Sequence, residues 1–216
     1  MIIAIANTKG GCCKTTTAVN LSAEIERREI HTVLLDADPQ ETSYKWALRR
    51  LGPRPTSTHL LAIHETSKVL ETATGWPPHI TVIIDAGGWD SPQMREAMAA
   101  ADIMIIPMQP SQPDLEALES LTTIIAEAKR SINPNLRPAI LLTRTPTSPQ
   151  NRETADARAA LADFGLIPVL RSQIRDRPLY RHLFADGLAA ADTTAAKASA
   201  ARAEIQLLAD EILAMK

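Results

Sequence analysis

The chain has 216 residues, 45% of them hydrophobic but only 3% aromatic, so its core must be built from aliphatic side chains and alanine. A formal net charge of −2 excludes a uniformly basic nucleic-acid binder, and any contact with DNA must come from a local patch. The two cysteines, Cys12 and Cys13, are adjacent, which excludes a disulfide framework and a zinc site built from separated Cys pairs.

Short apolar runs alternate with longer helical patterns along the chain. Ile2–Ala6, Thr32–Leu35, Thr81–Ile84, Ile103–Ile106 and Ala139–Leu142 read as strands. They are rich in Ile, Val and Leu without polar alternation, as expected of strands covered on both faces. Helices are expected near 15–29, 41–50, 64–73, 91–100, 114–131 and 150–163. Leu166–Leu170 reads as one more short strand, Pro178–Phe184 as a short helix and Ala195–Met215 as a long C-terminal helix. The pattern predicts an α/β fold, a largely parallel twisted sheet flanked by helices on both faces, with right-handed crossovers. No Gly/Ser linker or internal repeat divides the chain, so one domain is expected over 1–216. The first apolar run lacks a basic leader, and no run approaches the ~20 residues that span a bilayer; a cytoplasmic location is expected.

The first strand leads into Asn7-Thr8-Lys9-Gly10-Gly11-Cys12-Cys13-Lys14-Thr15-Thr16-Thr17. A strand, a Gly-containing turn and Lys-Thr at a helix start form the context of a phosphate loop, where backbone N–H groups and the positive helix end receive phosphate oxygens. Lys14 is placed to reach the β/γ-phosphates and the Thr15 hydroxyl to ligate Mg²⁺. The strict pattern G-x-x-x-x-G-K-[ST] is broken, because Thr8 and Cys13 stand at its two glycine positions.

What remains, Lys-Gly-Gly-x-x-Lys-Thr-Thr, resembles the deviant Walker A motif of the ParA/MinD family of P-loop ATPases, K-G-G-x-G-K-[ST], with Cys13 as the departure. The resemblance implies that Lys9 reaches across a dimer to the partner's nucleotide. It also implies ATP or ADP on Lys9, Gly10, Gly11, Cys12, Cys13, Lys14, Thr15 and Thr16. Three readings of Cys13 stay open: the loop still binds ATP, it binds without hydrolysing, or its thiol is a redox-sensitive element beside the phosphates.

Further segments follow in the family's order. Leu35-Asp36-Ala37-Asp38-Pro39-Gln40 puts two carboxylates at a strand's C-terminal end, where α/β sheets bind ligands. By resemblance Asp36 lies near the metal and Asp38 orients the attacking water. Ile83-Ile84-Asp85-Ala86-Gly87-Gly88 has the Walker B layout, with Asp85 beside Mg²⁺. Pro107-Met108-Gln109-Pro110-Ser111-Gln112-Pro113-Asp114 resembles a proline-rich segment of small plasmid-partition (ParF-like) ParA proteins. Its role reads equally as structural or as an interface, and Ser111 or Asp114 can cap the helix that follows. Thr143 and Arg144, at the end of the fifth strand, fall where that family places the adenine.

Motif order and length resemble the short ParA class, with a phosphate loop too near the start to leave room for an N-terminal DNA-binding extension. The resemblance implies an ATP-dependent homodimer, non-specific DNA binding, slow ATP hydrolysis stimulated by a small centromere-binding ParB-type partner, and nucleoid association. The basic residues of the last third, Arg171, Arg175, Arg177, Arg181, Lys197 and Arg202, are the DNA candidates, as a group. The C-terminal helix has an acidic polar side, which argues against a membrane role and for docking onto the body. The alternative is a module that binds nucleotide with weak hydrolysis, or positions a protein cargo.

Overall fold

The computed structural model describes residues 1–52, 57, 59–148, 150–165 and 167–215. Seven strands form one parallel sheet: β1 (Ile2–Ile5), β2 (Thr32–Asp36), β3 (Leu60–His64), β4 (Thr81–Asp85), β5 (Ile103–Met108), β6 (Arg137–Thr145) and β7 (Val169–Arg175). Their spatial order is β3-β2-β4-β1-β5-β6-β7. The helices are α1 (Lys14–Arg27), α2 (Thr42–Leu51), α3 (Val69–Thr74), α4 (Pro92–Ala100), α5 (Gln112–Ser131), α6 (Glu153–Phe164), α7 (Pro178–Ala185) and α8 (Ser199–Ala214).

The central strands are apolar on both faces, and their period-two geometry divides them between two cores. Ile3, Ile5, Leu34, Ile83 and Ile105 pack with Leu21, Trp46, Ile205 and Leu208 on the face covered by α1, α2 and α8. Ala4, Ala6, Val33, Leu35, Ile84 and Ile106 pack with Val69, Met94, Leu121 and Leu161 on the face covered by α3, α4, α5 and α6. β1 pairs with β4 on one side and β5 on the other. α1 leaves β1 over one face and leads to β2; α4 leaves β4 over the other and leads to β5. The chain therefore diverges at the carboxyl ends of β1 and β4, the topological switch point where such sheets open a crevice.

Pro107 sits inside β5, opposite Leu141 of β6. Its missing N–H does no harm because that edge looks past the end of β1, and its carbonyl accepts from Asn7 Nδ2 at 2.7 Å.

Two sequence expectations change. The stretch 64–73 was expected to be helical; it holds the end of β3 and only the short α3. β3 was missed because it is a half-covered edge strand of five residues. The strand expected at Leu166–Leu170 runs instead over Val169–Arg175, and Leu166 lies outside the described residues. Its second half, Arg171-Ser172-Gln173-Ile174-Arg175, is polar because β7 is the other sheet edge.

That edge is closed by α8. Glu211 accepts the amides of Arg171 and Ser172 at 2.7 and 2.8 Å, and Glu204 accepts that of Arg175 at 3.3 Å. The acidic side of the C-terminal helix thus docks onto the body, satisfying strand amides that would otherwise be free to pair with another chain. Among the described residues no helix is long and apolar enough to cross a membrane.

Candidate nucleotide site

The loop after β1 is held from both sides. Asn7 Oδ1 accepts the Lys9 amide at 3.0 Å while its Nδ2 reaches Pro107. The Thr143 hydroxyl donates within reach of both Cys12 O (3.0 Å) and Met108 O (3.1 Å). Gln109 Nε2 lies 3.4 Å from Gly11 O. On the other flank the Trp89 amide donates to Thr8 O at 3.0 Å, so the loop after β4 is clipped to the loop after β1. The proline-rich segment after β5 is therefore part of the loop's scaffold.

Gly11 has φ 76°, and Cys13 has φ 67° and ψ 28°, both in the left-handed region. Cys13 takes the conformation for which the usual glycine is suited, at a cost of about 1–2 kcal/mol for a residue with a Cβ. It is the N-cap of α1 and makes no side-chain cap bond, and the first turn of the helix holds no acid. The helix end thus keeps its amides and positive pole for an anion. Lys14 is buried, with Nζ on Lys9 O at 2.7 Å. A Cβ on Gly88 would lie 3.4 Å from that ammonium, so the β4 loop comes to van der Waals contact with Lys14.

Gly10, Gly11, Cys13, Lys14, Thr15, Thr16, Asp38 and Arg144 line one cleft of ≈ 380 Å³, together with Gly88 and Trp89. Asp38 sits at the mouth, its Oδ1 accepting the Gln40 amide at 2.9 Å. Beneath it Asp36 and Asp85 lie opposite each other in the β2–β4 ladder, both buried. Burial pushes the Asp85 carboxyl up to about 7, reinforced by the Asp36 charge. The Thr15 and Ser43 hydroxyls face it and oppose that rise, yet Oδ2 has no partner in hydrogen-bond geometry. A buried, unpartnered carboxylate oxygen beside Thr15 suits a cation. Among the described residues no group of three or more His, Cys, Asp or Glu could hold a metal alone. An ion here would need oxygens from its nucleotide, the usual arrangement for Mg²⁺.

Three expected roles shift. Asp36 Oδ1 accepts the Asp38 amide at 3.0 Å and Oδ2 the Tyr44 amide at 2.8 Å, so Asp36 organises the Asp38 turn and the start of α2, whatever it also does near a metal. Thr143 is fully buried under the loop and props it; it cannot meet a base. Cys12 is buried too, its Sγ 3.3 Å from Lys9 O, and does not line the cleft. Burial raises both thiols, against the pull of Lys14 on Cys12 and of Arg144 on Cys13. Neither is therefore an activated thiolate, which counts against the redox reading. Arg144, exposed and with φ 51°, does line the cleft. Sequence reasoning passed over Trp89, which is 80% exposed with φ 94° at the cleft mouth. Its only signal was its place immediately after Gly87-Gly88.

The family model for the CobQ/CobB/MinD/ParA nucleotide binding domain matches residues 3–188. The chain belongs to this family. It is 31% identical over 212 residues to the maintenance of carboxysome distribution protein A of Halothiobacillus neapolitanus, covering 98% of this chain and 95% of that one. It is 28% identical over 187 residues to the protein ParA of Rhizobium radiobacter, covering 86% and 83%. The septum site-determining protein MinD of Pyrococcus horikoshii, solved with Mg-ADP, superposes with a TM-score of 0.74 at 18% identity, covering 98% and 95%. The fold is that of the ParA/MinD P-loop ATPases.

The six basic candidates of the last third do not form one free patch. Arg171, Arg175 and Arg177 share a groove of ≈ 510 Å³ against α8, larger than the phosphate cleft but lined by no glycine loop, and Glu204 lines it with them. Arg177 is held by Glu204 through two bonds, 3.0 and 2.6 Å, and Arg175 lies 3.8 Å from the same carboxylate. Arg181 pairs with Asp176 at 3.4 Å, and Arg202 donates to Thr193 O. Among the described residues Arg171 and Lys197 make no ion pair.

Proposed function

We propose that the protein is a ParA-type positioning ATPase, in which ATP drives formation of a sandwich homodimer that binds DNA without sequence preference and hydrolysis resets it. The observation that carries this reading is the cleft itself. Lys14 and the uncapped start of α1 face Asp38 across it, over the unpartnered Asp85 oxygen. Lys14 and the α1 amides would hold the phosphates, and Thr15 and Asp85 would hold Mg²⁺. Mg²⁺ supplies charge neutralisation at the phosphate oxygens when bound. Asp38, with one oxygen turned to Gln40 N, would orient water at the cleft mouth. Lys9 would complete a partner's site, and Arg144 would lie toward the base.

Arg171 and Lys197, which make no ion pair among the described residues although Glu211 lies near Arg171, are the cations this reading assigns first to DNA phosphates. Arg177 and Arg202 serve the fold. A ParB-type partner that speeds turnover, nucleoid association and the absence of a membrane step belong to the same proposal. Similarity over nearly the whole chain to a carboxysome distribution protein favours a second reading of the cargo, a protein compartment in place of a plasmid or chromosome.

The test is retention of the purified protein on non-specific duplex DNA at one moderate salt, with ATP–Mg²⁺, with ADP and with no nucleotide. Retention with ATP alone supports the switch. Equal retention in all three, or none, would refute it in favour of a nucleotide-binding module without the DNA step. The cargo is read separately, by which genetic neighbour's product stimulates turnover.

A further inference from the structure

We propose that Asp114 is a cis latch for Lys9, keeping this lysine on its own subunit until nucleotide and a second copy of the chain draw it away. The proposal rests on the reading of Lys9 as a residue that acts across a dimer. Lys9 Nζ lies 3.3 Å from Asp114 Oδ2, and the two side chains differ sharply in burial, 34% exposed for Lys9 and 6% for Asp114. The carboxylate is therefore fixed and the ammonium is the mobile partner.

Asp114 is fixed by more than Lys9. Its Oδ2 accepts the Ser111 hydroxyl at 2.6 Å, and its Oδ1 faces the Gln109 amide at 3.3 Å. It also stands in the first turn of α5, where the helix pole favours a negative charge. Departure of Lys9 thus leaves a carboxylate that still has donors, so release costs little beyond the pair itself. The lysine, for its part, can swing without moving the loop. Its amide is held by Asn7 Oδ1 at 3.0 Å and its carbonyl by Lys14 Nζ at 2.7 Å. The second of these bonds links the latch to the nucleotide. A phosphate that draws Lys14 toward itself loosens the carbonyl of the residue whose side chain is latched.

Without such a latch, a half-exposed lysine beside the cleft would be free to fold over its own subunit's phosphates. With it, the cost of breaking the pair is set against dimerisation. For a pair of this exposure the restraint is about fivefold per subunit, and two are released per dimer, so about 25-fold in the dimer dissociation constant.

The test compares wild type, Asp114→Asn and Lys9→Ala. The asparagine keeps the shape and an acceptor for the Gln109 amide while removing the charge. Dimerisation with ATP–Mg²⁺ is followed by sedimentation over a range of protein concentrations. Acylation of Lys9 by an amine-reactive ester in the nucleotide-free protein is followed by mass spectrometry, with Lys197 as the internal reference. Asp114→Asn is expected to dimerise about 25-fold more tightly, to lose that advantage at high salt, and to acylate Lys9 several-fold faster. Wild type and Asp114→Asn dimerising equally, or the variant more weakly, overturns the latch. A wild type that stays monomeric with ATP overturns the dimerisation reading instead. The latch is then judged by acylation alone, and an unchanged Lys9 rate overturns it.

Discussion

Replacing Cys13 by glycine isolates the oddest feature of the loop. Cys13 holds φ 67° and ψ 28°, a conformation that costs a residue with a Cβ about 1–2 kcal/mol and glycine almost nothing. Against this, glycine adds freedom to the unfolded chain, worth about 0.4–1 kcal/mol. The thiol is half-buried and faces Arg144 and Thr16, so little packing is lost. The net gain is about 0.5–1 kcal/mol, or an unfolding midpoint raised by about 1–4 °C for a chain of this size. The loop already has the glycine shape, so affinity for ADP–Mg²⁺ should stay within about threefold. Thermal unfolding by circular dichroism and nucleotide titration by calorimetry read the two quantities separately. A lowered midpoint would refute the argument from backbone conformation. An affinity gain beyond tenfold would show that the thiol obstructs the phosphates, and would revive the reading of a loop impaired by Cys13.

Lys14→Ala should abolish nucleotide binding in the same titration, because it removes the buried ammonium at the start of α1; unchanged affinity would remove the assignment of the cleft. Asp38→Ala should keep ATP binding and lose turnover in a phosphate-release assay, since Asp38 lines the cleft and, among the described residues, its side chain accepts only the Gln40 amide. Asp85→Asn should stabilise the nucleotide-free, metal-free protein, and increasingly so at higher pH. The folded carboxyl titrates at about 7 and the unfolded one near 3.8, so the folded chain holds a proton the unfolded chain releases, and the group's contribution falls as pH rises through 7. The gap between variant and wild type should widen by about 2–3 kcal/mol from pH 5 to pH 8, read as urea midpoints in chelator; a pH-independent gap would count against the burial argument. Glu211→Ala should cost about 1–2 kcal/mol by exposing two β7 amides, and should promote self-association visible in sedimentation.

The sequence by itself determined the sheet class and the site's ingredients. Both rest on short-range rules: short runs rich in Ile, Val and Leu between turn residues favour strands covered on both faces, and Gly-Gly-x-x-Lys-Thr after such a run favours a loop opening a helix. The order of the acids after β2 and β4 placed Asp36, Asp38 and Asp85 near that loop. Tertiary structure alone decided what each side chain does there. Asp36 and Asp38 are two residues apart and look equivalent in sequence, yet the Asp38 turn and the start of α2 each take one oxygen of Asp36, while Asp38 is left at the cleft. Thr143 and Arg144 are neighbours on one strand end, yet Thr143 lies under the loop while Arg144, left-handed at φ 51° where the β6–β7 register shifts, lines the cleft. β3 and the polar half of β7 were illegible because edge strands need neither two apolar faces nor a strict alternation. The pairing of Lys9 with Asp114 joins residues 105 apart, which only the return of β5 beside β1 could bring together.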